Sequence, residues 1–146
     1  MSLGSIPAVC PEILAHNEKW RLMVEHVKTV GTQAMQLWLK NDMADMGVEL
    51  PGGNLSGFVT PFDTWADMTR VLPFENWPVP PRAMAYFCSS LPDEAGSGAQ
   101  AVETVRNNAI DFLNEDIQPL WPKAMHKGQF RRDAVPSEGV RVRANS

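Results

Sequence analysis

Apolar positions along this chain follow two rhythms. After Asn17 they recur at helical spacing, at Trp20, Met23, Val24, Val27 and Val30. That pattern predicts an amphipathic helix with one buried face, capped by Asn17 and stopped by Gly31. Pro11 through His16 reads as one short helical turn ahead of it, with Pro11 at a helix-starting position. From Thr32 to Lys40 the period falls to two. Met35, Leu37 and Leu39 share one face and Ala34, Gln36 and Trp38 the other, which predicts a strand.

Asp42 to Met46 reads as a single helical turn, and Pro51-Gly52-Gly53-Asn54 as a plain turn. Leu55 to Thr60 is a short strand candidate ending at Pro61. Asp63 to Leu72 fits either a helix capped by Asp63, carrying Trp65, Met68, Val71 and Leu72, or an extended segment. Pro73, Pro78, Pro80 and Pro81 make a stiff connector. The run Ala83-Met84-Ala85-Tyr86-Phe87-Cys88 has the length of a buried strand. Pro92 to Gly98 is a small-residue loop with the composition of a disordered segment. Ser97 and Gln100 then have capping-box spacing. Behind them Val102, Val105, Ala109, Phe112, Leu113 and Ile117 lay out a long helix over about residues 98–118, closed by Pro119 and Pro122.

This order predicts an α+β fold: a small, mainly antiparallel sheet with helices on one face and a long C-terminal amphipathic helix. Residues 1–125 read as one domain and residues 126–146 as a basic, flexible tail. In that tail Val140 and Val142 alternate with Arg141 and Arg143 like a strand lacking its partner.

Composition changes the picture in few places. The 146 residues carry a net charge of −4, unevenly spread: 8 Lys/Arg against 15 Asp/Glu through residue 125, then 5 against 2. The few tail arginines lack interleaved aromatics beyond Phe130, so nucleic acid is not an expected partner. No apolar run has the length of a membrane span, and the N-terminus has no signal-peptide pattern. Five Trp and eight Met supply adaptable apolar surface for a core, an interface or a greasy pocket. Cys10 and Cys88 stand alone, as expected of two buried thiols in a reducing cytoplasm.

The familiar catalytic signatures are absent. Gly52-Gly53 with Gly57 has neither the spacing nor the following helix of a dinucleotide fingerprint. No Walker A, HExxH or G-x-S-x-G pattern occurs, and His16, His26 and His126 have no metal-ligand spacing. No catalytic or metal-binding residue is therefore assigned. His26 sits beside an apolar helix face, where a structural role outweighs a ligand role. Asp63 and Asp67 would share a face if helical, as a cap and a solvated acid or as an acid–base pair. Gln33 and Gln36 fit either sheet-edge hydrogen bonding or polar groups aimed into a pocket.

Several phrases resemble a known family. They are Leu3-Gly4-Ser5-Ile6-Pro7 with Val9-Cys10-Pro11-Glu12-Ile13; the stretch from Trp20-Arg21 through Val30; and Thr32-Gln33-Ala34 through Leu39. Further phrases are Ser56-Gly57-Phe58-Val59 through Met68, Ala85-Tyr86-Phe87-Cys88, and Asn108-Ala109 through Leu120-Trp121-Pro122. Together they span most of residues 3–132 and resemble bacterial FAD-dependent oxidoreductases of the amine oxidase and phytoene desaturase-like superfamily. The resemblance implies an internal, substrate-side segment of a larger flavoprotein, lacking the first dinucleotide motif and inert alone. It puts Gly4, Ser5, Ile6 and Pro7 nearest the FAD, which the full-length parent would hold. It leaves Met35, Leu37, Trp38, Phe58, Phe62, Trp65, Tyr86 and Phe87 as candidate walls for an apolar or amine substrate, about half of them simply core. The remainder of the parent is the implied partner, with a homodimer through the cut face as a consequence of exposed apolar surface. The rival reading is a stand-alone α+β module that binds an apolar ligand or a partner protein.

Overall fold

The computed structural model describes residues 3–49, 52–135 and 139–145, so Met1 and Pro51, on which two of these expectations fall, lie outside the described residues. The chain divides into two compact units, Met1–Val30 and Gly31–Ser146. The expected tail belongs to the second unit because its last strand pairs there.

The first unit is helical throughout. A 3-10 turn at Leu3–Ser5 runs into α1 (Ile6–Val9), followed by α2 (Pro11–His16) and α3 (Glu18–His26). The Asn17 side chain caps α3 as expected, accepting the Trp20 N–H at 3.3 Å. The helix nevertheless ends at His26, before Gly31, since three of the next four residues, Val27, Thr29 and Val30, are β-branched. None of its residues is buried, and Trp20, Val27 and Val30 are exposed. The periodicity marked an apolar stripe correctly and its burial wrongly.

The second unit is a sheet backed by one long helix. Its strands are β1 (Thr32–Leu39), β2 (Asn54–Leu55), β3 (Thr64–Asp67), β4 (Ala83–Ser90) and β7 (Val140–Asn145), in the spatial order β2-β3-β4-β1-β7, every pair antiparallel. A separate hairpin joins β5 (Met125–His126) to β6 (Gln129–Phe130). The helix α4 spans Gly98–Glu115. This is the α+β fold that the alternating and helical periods predict.

Register decides what each face carries. Met35 pairs with Phe87, Leu37 with Ala85 and Leu39 with Ala83, all buried on the face that meets α4. The helix answers with Ala101, Val105, Ala109 and Phe112, one stripe at helical spacing. Phe112 lies at the centre: its ring meets Phe58, Phe62 and Phe87 edge-on, with centroids 6.2, 5.5 and 5.4 Å away. Beyond the helix, Ile117 and Trp121 are fully buried in the same core.

Other local expectations resolve in physical terms. Asp42 to Met46 closes one turn through the Met46 N–H and Asp42 carbonyl, 3.2 Å apart. The strand expected over Leu55–Thr60 stops at Leu55 because Gly57 takes the left-handed conformation at φ 75° and turns the chain. Asp63–Leu72 is extended over β3 and then 3-10 helical from Thr69 to Phe74. The Pro92–Gly98 loop is ordered around a 3-10 turn with Ala95 buried. Ser97 occupies the N-cap of α4, but its side chain makes no capping bond, so the capping box does not form. The helix ends at Glu115, short of residue 118, where Asp116 donates its N–H to the Phe112 carbonyl.

Candidate functional site

The structure separates the eight candidate wall residues by face. Met35, Leu37, Phe62, Trp65 and Phe87 are buried in the core against α4. Phe58 is half-buried and packs onto the same core. Core packing accounts for all six. Trp38 and Tyr86 lie on the opposite face of the sheet with Ala34, Gln36, Met84 and Cys88, as the pairs Trp38–Met84, Gln36–Tyr86 and Ala34–Cys88 require.

On that face Trp38 is held on three sides. Its indole N–H and that of Trp77 both donate to one Glu75 carboxylate oxygen, each at 2.6 Å. The two rings lie 5.5 Å apart, and the Arg141 guanidinium sits 4.8 Å from the Trp38 ring centre. A cation already covers the ring and a carboxylate already takes the N–H, so this cluster fixes Trp38 in place. Tyr86 is partly exposed, and burial followed by the neighbouring Cys88 pushes its phenol above the ordinary tyrosine range.

The remaining candidates are structural. Gln33 is buried, and its amide donates to the carbonyls of Pro61 at 2.9 Å and Ser90 at 3.1 Å while its oxygen accepts from Asn108 on α4 at 3.0 Å. It ties the sheet to the helix. Gln36 donates to the Met84 sulfur, at 3.5 Å. Asp67 is buried and accepts from the Gly52 N–H and from the backbone and hydroxyl of Thr69, which holds the 3-10 segment on β3. Asp63 bonds its neighbour Thr64. The two acids thus do separate local work and form no acid–base pair. His16, His26 and His126 are exposed, and no cluster of three metal-ligating side chains occurs among the described residues.

Gly4, Ser5, Ile6 and Pro7 form the 3-10 turn and the start of α1, with Ile6 buried. A Cβ placed on Gly4 would meet Thr29 at 3.9 Å, an ordinary contact, so no close backbone approach demands glycine there. The helix α1 that follows has only four residues.

Cys10 and Cys88 are free thiols and half-buried. Burial, then the Asp63 carboxylate, pushes the Cys88 thiol above its ordinary range. A raised pKa keeps the reactive thiolate scarce, so Cys88 in a Cys10→Ser background is expected to react with iodoacetamide several-fold more slowly than a free thiol at about pH 8. Asp63→Asn removes the nearby negative charge, lowers that pKa and speeds the reaction; an unchanged rate contradicts the assignment.

A groove of about 700 Å³ lies where the outer flank of α4 meets β7 and the segment 130–135. Its floor is apolar, with Ile110, Leu113, Phe130 and Val142, and Arg106, Arg132, Arg141 and Arg143 stand around it. Among the described residues neither Asp nor Glu lines it. The alternating valines and arginines of the tail were its one legible sign. Their supposedly missing partner is β1, with Val142 opposite Met35 and Val140 opposite Leu37.

No family model matches the chain. No curated protein matches it either. Among solved structures it is similar to an oxidoreductase from Methanosarcina mazei, with 12% sequence identity and a TM-score of 0.51. The likeness covers 98% of this chain and 29% of that one. At such identity it is a likeness of fold, and the chain spans less than a third of the protein it matches.

Proposed function

We propose that this chain is the substrate-side part of an FAD-dependent oxidoreductase, with the flavin held by the remainder of a larger protein. The observation that carries this reading is the fold likeness, in which nearly the whole chain corresponds to a minor part of a larger oxidoreductase. A flavin would supply hydride acceptance from elsewhere, and this sheet would shape and dry the space for an apolar or amine substrate. In that reading Tyr86 is the wall residue, because core packing does not consume its face of the sheet and its ring is exposed.

The test is spectroscopic. Protein comprising residues 1–146 is expected to purify colourless, whereas the product of the complete genomic reading frame around it carries a flavin spectrum at one FAD per chain. Stoichiometric flavin on residues 1–146 alone, or a complete reading frame that yields no flavoprotein, defeats the reading.

The second reading, a stand-alone module for an apolar ligand or partner protein, is favoured by the groove between α4 and β7. It predicts a reading frame confined to this segment and binding that needs no flavin.

A further inference from the structure

Strand β7 ends the sheet, and among the described residues its outer side has no neighbour in the strand order. The phase of its ladder with β1 is fixed by the Trp38 N–H, which donates to the Gly139 carbonyl at 2.9 Å. In an antiparallel pair such residues alternate with ones whose backbone groups point away. Arg141 and Arg143 therefore turn their N–H and C=O toward β1, and Val140, Val142 and Ala144 turn theirs outward. No other backbone bond among the described residues reaches those three outward amides.

What lies beside that edge is the groove already described. Its apolar floor, with Ile110 and Val140 both exposed, lies on the α4 side of β7. The side chains of Arg141 and Arg143 leave β7 on the other side, as strand alternation dictates. A chain laid along the edge at strand spacing would put alternate side chains over the apolar floor and the others beside the guanidinium groups. Arg141 and Arg143, the two cations on that side, select for negative charge on that second set. A second copy of β7 would instead set arginine opposite arginine, which disfavours self-pairing here.

We propose that the outer edge of β7 docks an extended peptide of alternating apolar and acidic residues, which joins the five-stranded sheet as a further strand. Backbone bonds to Val140, Val142 and Ala144 would supply affinity, and the arginines would select charge. Neither a flavin nor an oxidoreductase parent is needed for this surface to act.

The probe is a short, end-capped, fluorescently labelled peptide alternating valine and glutamate, followed by anisotropy, with the valine–lysine analogue as control. Binding by the glutamate peptide alone is expected, and it should weaken as salt rises. Val142→Pro deletes one outward donor and spares the ladder to β1, so it is expected to weaken binding about tenfold with the fold intact by circular dichroism. Arg143→Glu, chosen because Arg141 also packs on Trp38, is expected to cost a comparable factor and to remove much of the salt dependence.

Three results overturn the proposal. Equal binding of both peptides, or of neither, removes the charge selection. Full affinity in Val142→Pro removes the strand edge. Displacement of a groove-bound dye by dodecanoate but not by the glutamate peptide makes the groove a site for anionic amphiphiles. Sedimentation supplies a further check: a wild-type dimer that Val142→Pro converts to monomer makes a second copy the occupant and also overturns it.

Discussion

Phe112→Ala is expected to destabilise the Gly31–Ser146 unit by about 3–5 kcal/mol, the range for a fully buried phenylalanine. The side chain is completely inaccessible and is the meeting point of three aromatic rings from a loop, the approach to β3 and the centre of β4. Truncation removes the shared partner of all three edge contacts and leaves a cavity that the sheet backbone cannot collapse to fill. Since whole domains hold only about 5–15 kcal/mol, a large part of the stability goes with one ring. Urea denaturation read by tryptophan fluorescence checks this, with Phe112→Leu as control. Leucine keeps much of the volume and is expected to lose less than half as much. A Phe112→Ala midpoint close to wild type shows that α4 does not anchor the sheet through this residue.

The second large effect is polar. Gln33→Leu is expected to cost about 2–4 kcal/mol, because it strands buried hydrogen-bonding groups while adding only an apolar side chain of similar size. The lost partners are the Pro61 and Ser90 carbonyls and the Asn108 amide, which belong to a loop, the end of β4 and the middle of α4. Asn108 is only half-buried and can turn to water, so the carbonyls carry most of the penalty. A double-mutant cycle with Asn108→Leu isolates the sheet-to-helix bond, expected near 1 kcal/mol of coupling. A Gln33→Leu variant within about 0.5 kcal/mol of wild type contradicts the tie, since that is the scatter of ordinary surface substitutions.

Elements whose own side chains declare their environment were legible in the sequence. β1 is readable because Met35, Leu37 and Leu39 alternate strictly, and α4 because Val105, Ala109 and Phe112 keep helical spacing. Relations between distant segments were not. Val140 and Val142 announce a strand, but nothing local names β1 as its partner. The stripe on α3 announces an apolar face without saying what covers it. The wall candidates could not be sorted by face for a related reason: a run such as Ala83–Cys88 is apolar on both faces, so alternation cannot tell Phe87, which meets α4, from Tyr86, which does not. Register supplied that distinction. The groove stayed hidden because Ile110 and Val142 are brought together only when β7 reaches the edge of the sheet.

That late arrival has a bearing on how the protein is made. β1 is the first strand in sequence, yet it sits inside the sheet with β4 on one side and β7 on the other. Its second neighbour spans Val140–Asn145, so Thr32 waits for Asn145 through nearly the whole synthesis of the unit. Such distant pairings carry the loop-closure entropy of all the chain between them and form slowly. A nascent chain paired only as far as β4 therefore presents the bare flank of β1, with its run of Met35, Leu37, Trp38 and Leu39, to whatever is nearby. On the ribosome the vulnerable strand of this protein is the one that in the finished molecule is the best protected.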